Sequence, residues 1–497
     1  MYVQWKNEDK GLSKKLARLE EEIHSSGWST LIILSCLGLI VMFDETMILP
    51  AIPDFIREFN ISYSTSSWLL SAYIIAAAVM TPIGGKLSDI YGKKKILLII
   101  MAVYAAGIMA GRFATNIEFM IAARVAQGVG MAMFPIAFGI IREVLPEKKL
   151  AIGQTIFSST FSGGAVVGLI GGAAIIQNFG WQATFLAILP VTIALWLIIV
   201  KLIRVKSSGF EKPGIEENNS IAQNDQTIDV RGTMALASTI ITFLAGISIL
   251  ESNSIGNDYY VAGLFAASVA SLAAFIIIEK RVHSPLLDFK IMTSKSFLYP
   301  TIILMLVFMS IFMVYLTIPV LVRSPEPLGF RGNVLAVASV QLPFMIVLLA
   351  GTILSGFILN RVRNTKLILI GTAISTIGFF ILLNFHSTEN LVSIGLTILA
   401  AGLSLSISGG FNVILLSVPM QVTGIALGMT LLLNLVGMSL GPALSGVFQE
   451  MYKETVPGIL GLFPTDQAYN MIFITAALVS LASLVMSVSV SRTRIER

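Results

Sequence analysis

Apolar residues run along this chain in blocks separated by short polar breaks, and most blocks reach the roughly 20 residues that an α-helix needs to cross a bilayer. The first six lie near 28–50, 66–86, 94–113, 118–142, 150–176 and 181–203. A polar stretch from Lys206 to Asp229, rich in Ser, Asn, Glu, Gln and Asp, interrupts them. Two more follow near 232–250 and 259–279, then six near 296–322, 333–359, 366–385, 391–417, 421–449 and 468–490. The pattern predicts an all-α integral membrane protein of about fourteen spans, grouped six, two and six. The expected division is a charged amphipathic segment over 1–27, a first six-helix bundle over 28–203 and a polar loop over 204–230. Two extra helices over 231–281, a link over 282–295, a second six-helix bundle over 296–490 and a tail over 491–497 complete it.

The polar breaks carry a charge pattern. With the N-terminus inside, inner loops hold Lys86 and Lys93 to Lys95, Arg142, Lys148 and Lys149, Lys201 to Arg231, Lys280 to Lys295, and Arg361 to Lys366. Outer loops hold only Arg57, Arg112, Arg323, Arg331 and Lys453. Cytoplasmic loops carry the Lys/Arg excess in membrane proteins, so both termini are expected in the cytoplasm, which requires an even number of spans. Residues 2–26 include Lys6, Lys10, Lys14, Lys15, Arg18 and Glu20 to Glu22, with no small-residue cleavage site after them. They are expected to form a cytoplasmic or interfacial helix rather than a cleaved signal.

Composition agrees. The chain is 55% hydrophobic and 12% charged, with a mean hydropathy of +0.85; soluble domains are about 25% charged. The basic residues are spread over short loops, so topology accounts for the net charge of +5 and no nucleic-acid partner is expected. Cys36 is the single cysteine, and His24, His283 and His386 lie far apart. No metal site and no cofactor is expected. Gly437-Met-Ser439-Leu-Gly441 matches a hydrolase nucleophile pattern. It lies in an apolar helix with no histidine at the centre of any span, so the chain is not expected to be an enzyme.

Ionisable residues deep in a span are costly and usually mark pathways. Here they are Asp44 and Glu45 in the first span and Arg124 in the fourth. The set either marks a functional pathway, or Asp44 and Arg124 form a structural ion pair that locks two helices. Glu45 lies about 100° around the helix from Asp44, so the two carboxylates face different directions. The second bundle offers only amides at mid-membrane: Gln341, Asn412 and Asn434. Small residues allow helices to pack closely in lipid; Gly163, Gly164, Gly168, Gly171 and Gly172 mark the fifth span, and Gly437, Gly441, Pro442 and Gly446 the thirteenth.

Two corners look related. Gly85-Lys-Leu-Ser-Asp89-Ile-Tyr-Gly92-Lys93 leaves the second span, and Gly356-Phe-Ile-Leu-Asn360-Arg-Val-Arg363 leaves the tenth. Each follows the second span of a six-helix block, which suggests two related halves. Gly85 and Gly92 are expected to permit a tight turn and close helix approach.

These features together resemble the major facilitator superfamily, in its fourteen-span drug:proton antiporter type, over about residues 28–490. Gly85-x-Leu-Ser-Asp89-x-x-Gly92-Lys93-Lys94 resembles the family's signature corner, with Ile90 where arginine is usual. Arg124-Val-Ala-Gln127-Gly128-Val-Gly130 resembles its fourth-span signature, and Phe43-Asp44-Glu45-Thr46 through Pro53 its first. Trp68, Tyr73 and Pro82 resemble its second span, and Glu279 to Asp288 the link after the extra helices. The fifth-span glycine run resembles the antiporter signature, with Val167-Gly168 in place of Gly-Pro.

The resemblance implies a proton-coupled exporter of small amphipathic molecules in the cell membrane, working by alternating access as a monomer with small-molecule substrate and protons as partners. It implies that Asp44, Glu45 and Arg124 serve proton coupling. It implies that Asp89, Lys93 and Glu143 form a cytoplasmic charge cluster with Gly85 and Gly92. Tyr73, Gln127, Gln341, Asn412 and Asn434 are expected to line the substrate cavity. An importer or exchanger of the same fold, or a sensor or scaffold that has lost transport, are the alternatives.

Overall fold

Fourteen long helices account for most of the chain in the computed structural model, which describes residues 27–203, 230–250, 258–281, 294–358, 362–418 and 423–492. The expected N-terminal helix, most of the polar loop and the link, and the end of the tail lie outside the described residues, as does the heart of the corner at Asn360. The first bundle comprises α1 (Gly27–Glu58), α2 (Tyr63–Tyr91), α3 (Lys93–Arg112), α4 (Ile117–Val144), α5 (Glu147–Phe179) and α6 (Gln182–Leu202). Two central helices follow, α7 (Val230–Leu250) and α8 (Asp258–Glu279). The second bundle comprises α9 (Lys295–Arg323), α10 (Val334–Ile358), α11 (Asn364–Asn384), α12 (Glu389–Ser417), α13 (Thr423–Met451) and α14 (Asp466–Arg492).

Thirteen of these are long and apolar enough to cross a membrane. The exception is α7, whose qualifying apolar stretch is the shorter Met234–Phe243. Several helices run past the apolar blocks, and polar caps mark where some of them begin. α2 begins at Tyr63 because the Ser62 hydroxyl accepts the Thr65 N–H, and α12 begins at Glu389 because Thr388 does the same for Leu391. α1 is broken: the helix stops at residue 47, and a 3₁₀ turn (Leu49–Ala51) containing Pro50 leads into Ile52–Glu58. α4 is broken too, by a 3₁₀ segment (Val129–Ala132) at its centre. Between α13 and α14 a small hairpin pairs β1 (Lys453–Thr455) with β2 (Leu462–Pro464) in antiparallel register.

The halves meet along two helix pairs, α2 with α13 and α5 with α10. Within the halves, α5 packs on α1 and α13 on α9 by the same device. A Cβ at Gly164 would stand 2.6 Å from the Leu39 carbonyl, at Gly168 2.6 Å from that of Phe43, and at Gly172 2.6 Å from that of Met47. These glycines recur every four residues on one helix face and meet α1 at the same interval. In the second half, a Cβ at Gly437 would lie 2.2 Å from the Met305 carbonyl and at Gly441 2.5 Å from that of Met309. So the fifth helix of each bundle is laid against the first by backbone contact, with Pro442 beside Gly441 in α13. Gly163 and Gly171 sit off this face and contact only the side chains of Leu39 and Phe43. α7 packs on α8 and touches both α2 and α13.

Candidate functional site

α1 carries Asp44 and Glu45 about one helical turn before its break. Thr46 fixes this stretch, its hydroxyl donating to the Ala165 carbonyl of α5 at 3.0 Å. Both carboxylates are buried beside Arg124. Asp44 turns into the first bundle, where its Oδ2 is 3.6 Å from Nη1 of Arg124 and both side chains are 0% exposed. Glu45, 3% exposed, lies within electrostatic reach of Arg124 and, across the seam, of Tyr315 on α9.

Arg124 is held on several sides. Its Nε donates to the Leu69 carbonyl of α2 at 3.0 Å, and Nη1 donates to Gln127 Oε1 at 2.6 Å. Its guanidinium carbon lies 4.3 Å from the centre of the Tyr73 ring, a cation–π contact. Gln127 is anchored in turn, its Nε2 donating to the Gly107 carbonyl at 3.0 Å. Glycine makes this possible: a Cβ at Gly107 would come 2.8 Å from the Gln127 nitrogen, and at Gly128 2.2 Å from the Tyr73 carbonyl. Polar capacity is left over, since both Asp44 oxygens, Glu45 Oε2 and Arg124 Nη2 make no hydrogen bond. Such a cluster can exchange a proton at a carboxylate while the arginine stays charged.

The cavity residues divide. Tyr73 and Gln127 are wholly buried in the Arg124 cluster, and the Tyr73 hydroxyl donates to the Val41 carbonyl at 3.4 Å. Both side chains are drawn to Arg124, the amide by a hydrogen bond and the ring by its cation–π contact. Gln341 and Asn434 are buried on α10 and α13, the helices at the seam, with Gln341 Oε1 and both Asn434 amide atoms lacking a hydrogen-bond partner. Asn412 is half-buried on α12. Tyr104 and Tyr315 were not legible as site residues. Tyr104 lies beside Asp44, and Tyr315 packs on Phe312 and Phe344 at ring separations of 4.8 and 6.0 Å. The available signal was a tyrosine inside an otherwise apolar run.

At the end of the molecule where α2 meets α3, Gly92 has φ of +96° and ends one helix while opening the next. Nothing lies within 4 Å of a Cβ there, so backbone conformation alone calls for glycine. Lys93 pairs with Glu143, its stem crossing Gly139, where a Cβ would be 2.7 Å from Lys93 Cε. Asp89 belongs to the last turn of α2, and its side chain lies outside the described residues. Gly85 does not make the expected close approach or turn: it is mid-helix, with only Pro135 at 3.9 Å from a Cβ. Gly84 makes that approach, 2.8 Å from Ala132, because one residue rotates the contact face by about 100°.

At the opposite end, the halves are joined by polar contacts. Arg323 at the close of α9 grips Asp54 of α1 with two hydrogen bonds of 2.5 and 2.7 Å and donates to the Pro50 carbonyl at 3.1 Å. The Tyr63 N–H donates to Glu450 Oε2 at 3.0 Å, and the Tyr63 hydroxyl to the Leu462 carbonyl at 3.1 Å. The Val334 N–H donates to Gln177 Oε1 at 3.2 Å. A cavity of about 360 Å³ opens here beside Asp54, Trp181 and Arg323.

The family model of the Major Facilitator Superfamily matches residues 34–442. The chain is 24% identical to Multidrug resistance protein 3 of Bacillus subtilis over 86% of this chain and 81% of that protein. It is 25% identical to the tetracenomycin C resistance and export protein of Streptomyces glaucescens, over 84% and 75%. It is 26% identical to the multidrug efflux pump LfrA of Mycolicibacterium smegmatis, over 88% and 84%. Among solved structures, a bacterial homologue of the human lysosomal transporter Spinster aligns with a TM-score of 0.64 at 14% identity, over 94% of this chain and 96% of that one.

Proposed function

Because the chain belongs to the Major Facilitator Superfamily, we propose that it is a proton-coupled exporter of small amphipathic molecules in the cell membrane. The relatives named for multidrug resistance, tetracenomycin C export and multidrug efflux support the direction and the cargo class. The observation that carries the coupling is the buried Asp44–Glu45–Arg124 cluster. Carboxylates within a span are the groups that relay protons, and both lie beside the fixed charge of Arg124.

The two-bundle architecture supports the following working cycle. Both termini face the cytoplasm, as the Lys/Arg asymmetry implies, so the end closed by Asp54–Arg323 is the outer one. A proton arriving from outside binds at Glu45 or Asp44 and alters the charge balance around Arg124. Cargo held among Gln341, Asn434 and the Tyr315 aromatics then leaves to the outside, and the two bundles rock along the α2–α13 and α5–α10 seams to release the proton inside. At the inner corner Asp89, with Lys93 and Glu143, steadies the outward-open state. One charge crossing about 100 mV releases about 2.3 kcal/mol, enough for roughly a fiftyfold gradient of neutral cargo per proton.

Everted vesicles from cells lacking other efflux pumps test this reading. Energised vesicles should accumulate a lipophilic dye and release it when an uncoupler collapses the proton gradient. Accumulation that ignores the uncoupler, or uptake into intact cells, would favour an importer or exchanger. A reporter fused at residue 254 should report the outside.

A further inference from the structure

The contacts that close the Asp54 end follow a symmetry that points to what they do. Every helix begins with N–H groups that lack a partner within the helix. At α2 the Ser62 hydroxyl accepts the Thr65 N–H at 2.9 Å, and at α10 the Asn333 side chain accepts the Ala336 N–H at 2.9 Å. Each helix thus satisfies its third N–H with its own capping residue. The first N–H of each is satisfied from the other half: Tyr63 by Glu450 near the end of α13, and Val334 by Gln177 near the end of α5. In the six-helix order, α2 and α10 are second helices, and α5 and α13 are fifth helices. The two cross-half caps are therefore symmetry mates, made by the same positions in the two bundles. Between them, Arg323 and Asp54 join the ends of α9 and α1, the two first helices.

We propose that Glu450 and Gln177 are paired cross-half helix caps that hold this end closed and must both let go before it opens. The caps suit a reversible latch. When the halves part, each freed N–H meets water, and each cap oxygen does too, so no buried polar group is orphaned by opening. The mates differ in charge. Glu450 is a carboxylate paired with Lys453 and favoured by the positive end of the α2 dipole, whereas Gln177 is a neutral amide. The N–H bond common to both, rather than the charge, is the element that latches. The inference rests on the alternating-access reading above, and its test reads conformation without transport.

The test uses the full chain in nanodiscs, in a Cys36→Ser background, with spin labels at Asn60→Cys and Ser387→Cys, both exposed and near this end. Pulsed dipolar distances between them report the open and closed populations. Glu450→Ala and Gln177→Ala should each raise the open-to-closed ratio by roughly tenfold, the worth of an ordinary helix cap, and together by more than either alone. Glu450→Gln, which can still accept the Tyr63 N–H, should leave the distribution close to that of the parent and also shows that the position tolerates substitution. Unchanged distances in both alanine variants, with folding confirmed by monodispersity, would overturn the proposal. So would an equal shift in Glu450→Gln and Glu450→Ala, because the charge and its Lys453 partner would then be the latch. A parent distribution that responds to these caps in a protein with no proton-driven transport would leave the latch standing and refute only the exporter reading.

Discussion

Arg323 holds Asp54 with both oxygens of the carboxylate engaged, across 269 positions of sequence and across the seam between the two bundles. Each side chain is 15% exposed. Two parallel bonds fix orientation as well as distance, so this pair sets how the ends of α1 and α9 meet.

Asp54→Asn should therefore weaken closure of this end by roughly 2 kcal/mol, since it leaves Arg323 without its charge partner. Thiol labelling of Val334→Cys, at a buried position lining the adjoining cavity, in a Cys36→Ser background should speed up in that variant. The exchange Asp54→Arg with Arg323→Asp should return labelling toward the parent rate. Fast labelling that the exchange does not reverse would mean that the pair acts through something other than its mutual contact.

Glycine at 168 is required by space. A Cβ would stand 2.2 Å from the Thr46 hydroxyl and 2.6 Å from the Phe43 carbonyl. Gly168→Ala should lower stability by about 1–3 kcal/mol through overpacking and should disturb the stretch that carries Asp44 and Glu45. Gly163→Ala meets only Leu39 at 3.5 Å and should be neutral or slightly stabilising. Thermal unfolding in one detergent compares the two, and equal melting temperatures would contradict the packing described.

Asp89 stands at the closing turn of α2, at the opposite end of the molecule from the Asp54–Arg323 contact. Asp89→Asn should slow turnover while leaving equilibrium ligand binding largely intact, because it acts on the balance between states. Binding by fluorescence quenching and dye efflux, measured on the same preparation, separate the two. Loss of binding in a folded variant would place this corner in the ligand site.

The spans were legible because lipid demands long apolar runs, and each run became a helix. Helix ends were less so: α2 reaches Tyr63 and Tyr91, beyond the apolar block over 66–86, because serine capping and polar turns extend it. The buried charged residues of the first bundle were legible by scarcity, and the structure then brought Asp44 within 3.6 Å of Arg124. What the cluster gathers around itself was not. The sequence does not reveal that Arg124 contacts both Tyr73 and Gln127. The seam contacts were also hidden, since Arg323, Glu450 and Gln177 are single polar residues at helix ends whose partners lie 157 to 387 positions away. Gly84 and Gly85 are indistinguishable in sequence, and only the position of α4 selects the first.

The most direct measurement is proton-driven transport by Glu45→Gln, Asp44→Asn and the double variant in proteoliposomes. Neutralising Asp44 leaves Arg124 buried without its 3.6 Å partner, so folding is checked by the melting temperature of each variant, and Glu45→Gln is the cleaner probe. An imposed proton gradient should drive dye accumulation in the parent. The double variant should lose that accumulation while keeping energy-independent exchange of dye across the membrane. A double variant that still builds a dye gradient, and loses it when the proton gradient is collapsed, would contradict proton coupling at these carboxylates.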